Sequence, residues 1–236
     1  MAETRRDRLR AATVREITGT ARRILVEQGP DAVTLRAIAR EMGMTAPALY
    51  RYFDSHHELL QHLIADVFTE LTDDITTALH GLGQVDMAVK FVTAAREFRR
   101  WSLGHPREYA LIFGTPMPGL YVETADIAAE CGRRFGWTFL RLFMELWQKR
   151  PFPVPADEEI DPRLREQLRT YRDGLGVSLP LGTMLTYLQC WVRLQGAVSL
   201  EVFGHLAFAL DDAEPLFDMM LADLAPMLGL EYPPPE

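Results

Sequence analysis

Apolar residues in this chain return every three or four positions and show no alternating, β-branched runs, so the pattern predicts helices nearly throughout. Ile17, Ala21, Ile24 and Leu25 share one face of a first helix, which should stop at Gly29-Pro30. Thr34 caps a short second helix with Leu35, Ile38, Ala39 and Met42 turned inward, and Gly43 ends it. Thr45 caps a third helix carrying Pro47 in its first turn and running to about Tyr52. Ser55-His56-His57-Glu58 has the form of a capping box, opening a long fourth helix with Leu60, Ile64, Val67, Phe68, Leu71 and Ile75 inside. Beyond Gly81-Leu82-Gly83, helices are expected near 85–103, 106–113, 121–149, 162–173, 180–204 and 213–226. Residues 151–161 hold three prolines and four acids and are expected as a mobile loop.

The fold class expected is therefore all-α: three N-terminal helices, with a helix-turn-helix spacing at 34–53, joined by a long fourth helix to a larger helical domain. The boundaries are a disordered arm at 1–8, the N-terminal helix-turn-helix domain at 9–56, the larger domain at 57–231, for which the resemblance drawn below implies ligand binding and dimerisation, and a disordered tail at 232–236.

Charge sharpens this division. The 236 residues carry a net charge of −8, which argues against a protein that coats nucleic acid indiscriminately. Residues 1–62 nevertheless hold ten Arg and no Lys against eight acids, while the remaining 174 hold 15 basic against 25 acidic residues. Only the N-terminal end is suited to meeting a polyanion. Cys131 and Cys190 lie far apart in apolar surroundings, and Met1 is followed by charged residues instead of an apolar leader. Both features are expected of a cytoplasmic protein with reduced thiols. The apolar stretch at 177–200 has one charge, Arg193, but its Pro, Gly and Gln residues favour a buried helix over a membrane span.

The densest signal is TLRAIAREMGMTAPALYRYF at 34–53, two short helices joined by a tight turn that lays the second helix in the DNA major groove. Ile38, Ala39, Met44, Leu49 and Phe53 can pack inward, and Gly43 supplies the left-handed turn. Ala46, Pro47, Ala48, Tyr50 and Arg51 then face outward, the small residues letting the backbone approach base edges. Thr34, Arg36 and Thr45 sit at helix N-termini, where phosphates are favoured, and Tyr50 and Tyr52 offer phenolic donors. Packing at the edge of a small core is the other reading of the two tyrosines.

With Thr34, Ile38, Ala39, Gly43, Leu49, Tyr50, Tyr52, Phe53 and Ser55 in place, residues 9–64 resemble the TetR family of bacterial transcriptional regulators. The family usually has Lys after the Ser, gripping a phosphate; here the residue is His56, so more of the affinity falls to Arg36, Arg51 and the N-terminal arginines. The resemblance implies a regulator, by default a repressor, that binds a palindromic operator as a homodimer and is released by a small effector. It also implies that the last two helices of each subunit pair in a four-helix bundle, for which Leu185, Leu188, Val192, Leu200, Phe203, Phe217, Met220, Leu221 and Leu224 are the candidates. The segment 105–114 with Trp191…Gly196 resembles a C-terminal domain type with a Trp-His-Gly signature, although Gln195 replaces the His.

The middle helices are rich in large soft side chains, more often core than cofactor site when taken singly. Together Trp101, Tyr109, Phe113, Met117, Phe139, Phe143, Trp147, Met184, Tyr187 and Trp191 suit an internal apolar cavity for the unknown effector, which should be largely apolar. Arg193 is expected to meet a carboxylate, of the protein or of a ligand, or to reach solvent. No cofactor, metal or membrane partner is expected, and the chain is read as not an enzyme. Gly81-Leu82-Gly83 follows a helix, His56, His57 and His62 lack metal-ligand spacing, and adjacent acids such as Asp73-Asp74 point apart on a helix. A ligand- or partner-binding dimer with decayed DNA contacts, suggested by His56, is the competing reading.

Overall fold

A computed structural model of the chain describes residues 4–114 and 126–233. Ten α-helices occur among them, and no strand. They are α1 (Arg5–Gln28), α2 (Leu35–Glu41), α3 (Ala46–Leu49), α4 (His56–Gly81), α5 (Met87–Gly104), α6 (Pro106–Phe113), α7 (Ile127–Lys149), α8 (Pro162–Leu175), α9 (Leu181–Val202) and α10 (Glu214–Leu224), with short 3-10 turns at Pro30–Ala32, Asp157–Glu159 and Ala225–Leu228. The helices form two compact units, and α4 and α7 each contribute residues to both.

The first unit comprises residues 1–73 and 104–135. Ile17, Ala21, Ile24 and Leu25 of α1, Leu35, Ile38 and Ala39 of α2, Leu49 and Phe53, and Ile64 and Val67 of α4 close a small core at the spacing expected, joined by Leu59 and Leu63, which the pattern did not single out. The rings of Phe68 and Phe113 meet edge to face at 5.7 Å, and a Cβ at Gly132 would lie 3.5 Å from the Phe68 ring. Residues 5–8, expected as part of a disordered arm, instead form the first turn of α1. The Thr4 hydroxyl accepts from the Asp7 amide while the Asp7 carboxylate accepts from the Thr4 amide, a capping box that starts the helix there.

The second unit comprises residues 74–103 and 136–236. Phe98 lies beside Phe139 and Trp191, Phe143 meets both Phe91 and Tyr187, and Trp101 and Met184 are buried. The expected mobile loop at 151–161 is anchored. Phe152 and Ile160 are buried, the Phe152 ring packs on Trp147 at 5.3 Å, and a Cβ on Gly182 would lie 2.3 Å from the Pro155 carbonyl oxygen. Apolar anchors at the two ends of the stretch outweigh its proline and acid content. The expected loose tail is tied down as far as Tyr232, whose hydroxyl bonds Asp218 at 3.2 Å. Helix α9 stops at Val202, two residues short of the expected end, because Gly204 takes a left-handed conformation and the His205 amide donates to the Leu200 carbonyl.

Candidate functional site

The turn between α2 and α3 forms as its residues dictate. Gly43 has φ 65°, and the Met44 amide donates to the Ala39 carbonyl at 2.8 Å. Helix α3 is only four residues long and continues as turns to Tyr52, so it ends earlier than expected. Leu49 and Phe53 fix its inner side, leaving Pro47 and Arg51 exposed, Ala46 and Ala48 half-buried, and Tyr50 53% exposed. The Thr34 hydroxyl accepts from the Ala37 amide and caps α2 as expected. Thr45 occupies the capping position of α3 but makes no side-chain cap bond, a correction that leaves its hydroxyl free of the helix amides. Arg36 is exposed on the first turn of α2.

Two contacts hold this surface in ways the expectations did not include. Arg10, on α1, donates to the main-chain carbonyl of Arg51 at 2.8 Å, and its guanidinium lies 5.4 Å from the centre of the half-buried Tyr52 ring. His56 directs Nε2 to the Val33 carbonyl oxygen at 2.5 Å. A carbonyl only accepts, so Nε2 carries the proton and this edge of the imidazole braces the approach to α2. The Ser55 hydroxyl caps α4 by accepting from the Glu58 amide, and the Glu58 carboxylate reaches the Asp54 amide, close to the box expected.

Elsewhere in the first unit Arg22 of α1 is bonded both to Glu70 of α4 and to Glu108 of α6, the latter at 3.0 Å. Glu108 is 4% exposed, and the paired carboxylates hold the Arg22 guanidinium firmly in its charged form, raising its pKa; the Glu70 hydrogen bond is the largest cause. Nothing in the sequence pointed to this triad, because its members are 48 and 86 residues apart from Arg22.

The second unit contains an apolar cavity of about 70 Å³. Four of the ten expected ligand residues line it: Phe139, Phe143, Tyr187 and Trp191. The other walls are Phe91, Val92 and Ala95 of α5, Cys190 and Leu194 of α9, Leu221 and Leu224 of α10, and the C-terminal Leu228, Leu230 and Pro233. Trp101 and Met184 are core residues away from it, and Trp147 is covered by Phe152. Tyr109 and Phe113 pack together within the first unit, and Met117 lies outside the described residues. Burial pushes the Tyr187 phenol pKa well up, with Tyr171 beside it, and pushes the Cys190 thiol up to about 12. The polar groups in the wall are thus neutral.

The candidates for pairing divide. Val192, Leu200 and Phe203 are exposed, while Leu185, Leu188 and Met220 are half-buried. Phe217, Leu221 and Leu224 are buried within the subunit: Arg99 lies over the Phe217 ring, and the two leucines face the cavity. Their places on the outer face of α10 are taken by Leu216 and Met219, which the apolar pattern did not separate from them. Arg193 pairs with no carboxylate among the described residues; it is exposed and directs its guanidinium to Met227 Sδ.

Residues 17–63 match the model described as bacterial regulatory proteins of the tetR family, and residues 91–224 match the tetracyclin repressor-like C-terminal domain. The chain belongs to the TetR family. It is 30% identical over 226 residues to the HTH-type transcriptional regulator Rv1816 of Mycobacterium tuberculosis, covering 91% of each chain. It shares 32% identity and a TM-score of 0.73 with the crystal structure of SCO4313, over 94% of this chain and 98% of that one. RolR in complex with resorcinol has the same fold at 19% identity and a TM-score of 0.57, over 97% and 98% of the two chains. The protein is therefore a TetR-family transcriptional regulator and not an enzyme. The matched C-terminal description is the broader tetracyclin repressor-like one and does not name the Trp-His-Gly type. No helix among the described residues is long and apolar enough to cross a membrane, and no cluster of three or more His, Cys, Asp or Glu among them is placed to hold a metal ion.

Proposed function

We propose that this TetR-family regulator is a cytoplasmic, ligand-responsive repressor that binds a palindromic operator as a homodimer and releases it when a small, largely apolar effector enters the second-unit cavity. One observation carries the reading: α10 turns Leu221 and Leu224 into the cavity and presents Leu216 and Met219 to the exterior, so one helix serves both a ligand and a partner. Tyr50, Arg51, Thr45 and Arg36 supply the operator surface, and pairing two such small modules gives affinity and specificity that neither has alone. The cavity is about half the ~150 Å³ of one that takes up benzene, so a ring-sized effector must expand it. Binding then favours a conformation with the walls displaced, transmitted along α4 to the spacing of the two recognition helices. A bound aromatic, resorcinol, in RolR supports a small ring-containing effector.

The test is fluorescence anisotropy on palindromic DNA flanking the protein's own gene, with and without small apolar compounds. Retention at moderate salt, and release by a compound whose own affinity falls when operator is saturating, is the expected result. A dimer that binds no such fragment at any salt overturns it in favour of a ligand-binding dimer with decayed DNA contacts.

A further inference from the structure

The walls of the second-unit cavity are not equally firm. Ring contacts lock the side formed by α5, α7 and α9: Phe143 meets Phe91 at 5.1 Å and Tyr187 at 5.2 Å, and Phe139 lies 6.1 Å from Trp191. Parting these helices breaks packed core. Another side is the end of the chain. After the 3-10 turn Ala225–Leu228, Gly229 takes φ 61° beside Phe152, where a Cβ on it would stand 3.2 Å from the Phe152 Cβ. Leu230 and Pro233 beyond it line the cavity. What fastens this segment past Leu230 is polar. The Tyr232 hydroxyl donates to the Asp218 carboxylate of α10 at 3.2 Å and accepts from the Arg96 guanidinium of α5 at 3.4 Å, while Arg96 pairs with the same carboxylate at 3.1 Å. All three side chains are partly open to solvent, so water replaces these bonds at little net cost. A terminal segment held in this way opens before helices locked by their rings do.

We propose that the chain beyond Gly229 is a strap across the effector cavity, latched by Tyr232 to Asp218 and Arg96, and that the effector enters by displacing it. The strap rests on the effector-cavity reading above and adds the route by which that cavity fills. It also narrows the class of molecule. The described residues lining the cavity are all of uncharged type, and the charged latch residues Arg96 and Asp218 are not among them. An ion admitted there would be stranded without a partner, so the molecule that passes the strap is uncharged.

Cys190 in the cavity wall supplies the readout and Cys131 of the first unit the control. Peptide mass spectrometry follows modification of each thiol by iodoacetamide in the folded, full-length chain, with and without saturating toluene as the uncharged probe. Tyr232→Phe removes the hydroxyl and leaves the Arg96–Asp218 pair in place. The Cys190 rate then rises roughly fivefold, the factor one net hydrogen bond represents, while the Cys131 rate and the helical signal stay as they were. Tyr232→Ala, which removes the ring as well, raises the Cys190 rate further, and toluene slows it in wild type and variants alike. A Cys190 rate unmoved in both variants overturns the strap and puts entry elsewhere. Cys190 and Cys131 accelerating together overturn it too, because Tyr232 then serves only overall stability. Toluene that fails to protect Cys190 in the wild type removes the cavity reading itself, and with it anything for a strap to admit.

Discussion

Arg10 donates to the main-chain carbonyl of Arg51 at 2.8 Å, so the first turns of α1 hold the far end of the recognition segment. Because α3 is only four residues long, this bond and the cation–π contact to Tyr52 stand in for the helix that would otherwise fix Tyr50 and Arg51. Replacing Arg10 by Ala removes one charge-assisted bond and one exposed cation–π contact, together about 1–2 kcal/mol. Operator affinity is expected to fall roughly five- to thirtyfold at that cost, with an unchanged salt slope that marks positioning. A slope reduced by about one instead assigns Arg10 to a phosphate.

His56→Lys exchanges the bond to the Val33 carbonyl for a freely directed cation. Operator binding should become more salt-dependent, by about 0.9 in the log–log slope. The thermal midpoint should drop by the few degrees that ~1 kcal/mol represents. Titrating anisotropy against salt and melting the free protein read the two effects separately.

Arg22→Ala leaves the buried Glu108 carboxylate without its cation. Stranding a fully buried charge costs ~3–5 kcal/mol; Arg22 and Glu70 keep part of their surface in water, which reduces this to about 2–3. Denaturant unfolding should show that loss, and Arg22→Met with Glu108→Leu should recover most of it. Equal stability of the single and double variants would show that the stranded Glu108 carboxylate is not the source of the loss.

Asp7 has its carboxyl pKa held below the ordinary value by hydrogen bonds from the Thr4 hydroxyl and then the Thr4 amide. A depressed carboxylate stabilises the folded cap at pH above its unfolded pKa, and that contribution is lost as pH falls through the lowered folded value. Amide protection at residues 7–9 should therefore decline on acidification and hold on the alkaline side. In Asp7→Asn the protection should be low and flat across the same range.

Cys190 sits in the cavity wall with its thiol pushed up to about 12, so almost none is thiolate at neutral pH. Iodoacetamide should modify it slowly in the folded protein and readily after denaturation, as peptide mass spectrometry reports. Apolar compounds that release operator should slow the folded-state reaction further. Compounds that release operator without protecting Cys190 act elsewhere.

The recognition segment was legible because its signals are local. Gly43, the Pro47 first turn and the inward Leu49 and Phe53 each follow from neighbours within a few positions, and each appears where the spacing puts it. The start of α1 was equally local, in the Thr4 and Asp7 pair, but the run of arginines obscured it. The Arg22–Glu70–Glu108 triad and the Arg10–Arg51 bond join residues from different helices and leave no periodic trace. The cavity walls were partly legible for a related reason. Aromatic content reveals apolar interior, but whether a ring packs against another ring, as Tyr109 does, or borders a void, as Phe143 does, depends on packing volume. Likewise, the apolar residues of α10 from Leu216 to Leu224 are spread around most of its circumference, so only the folded helix separates Leu221 from Met219.

The two faces of α10 also constrain how this protein can diverge. If the proposed function holds, a substitution at Leu221 or Leu224 that admits a new effector shifts the backbone carrying Leu216 and Met219, so a change of ligand preference is also a change in subunit pairing. Lineages altering what they sense should therefore show paired replacements on opposite faces of α10, two or five positions apart. Hybrids mixing subunits from such lineages should assemble poorly, which keeps sibling regulators in one cell from exchanging subunits.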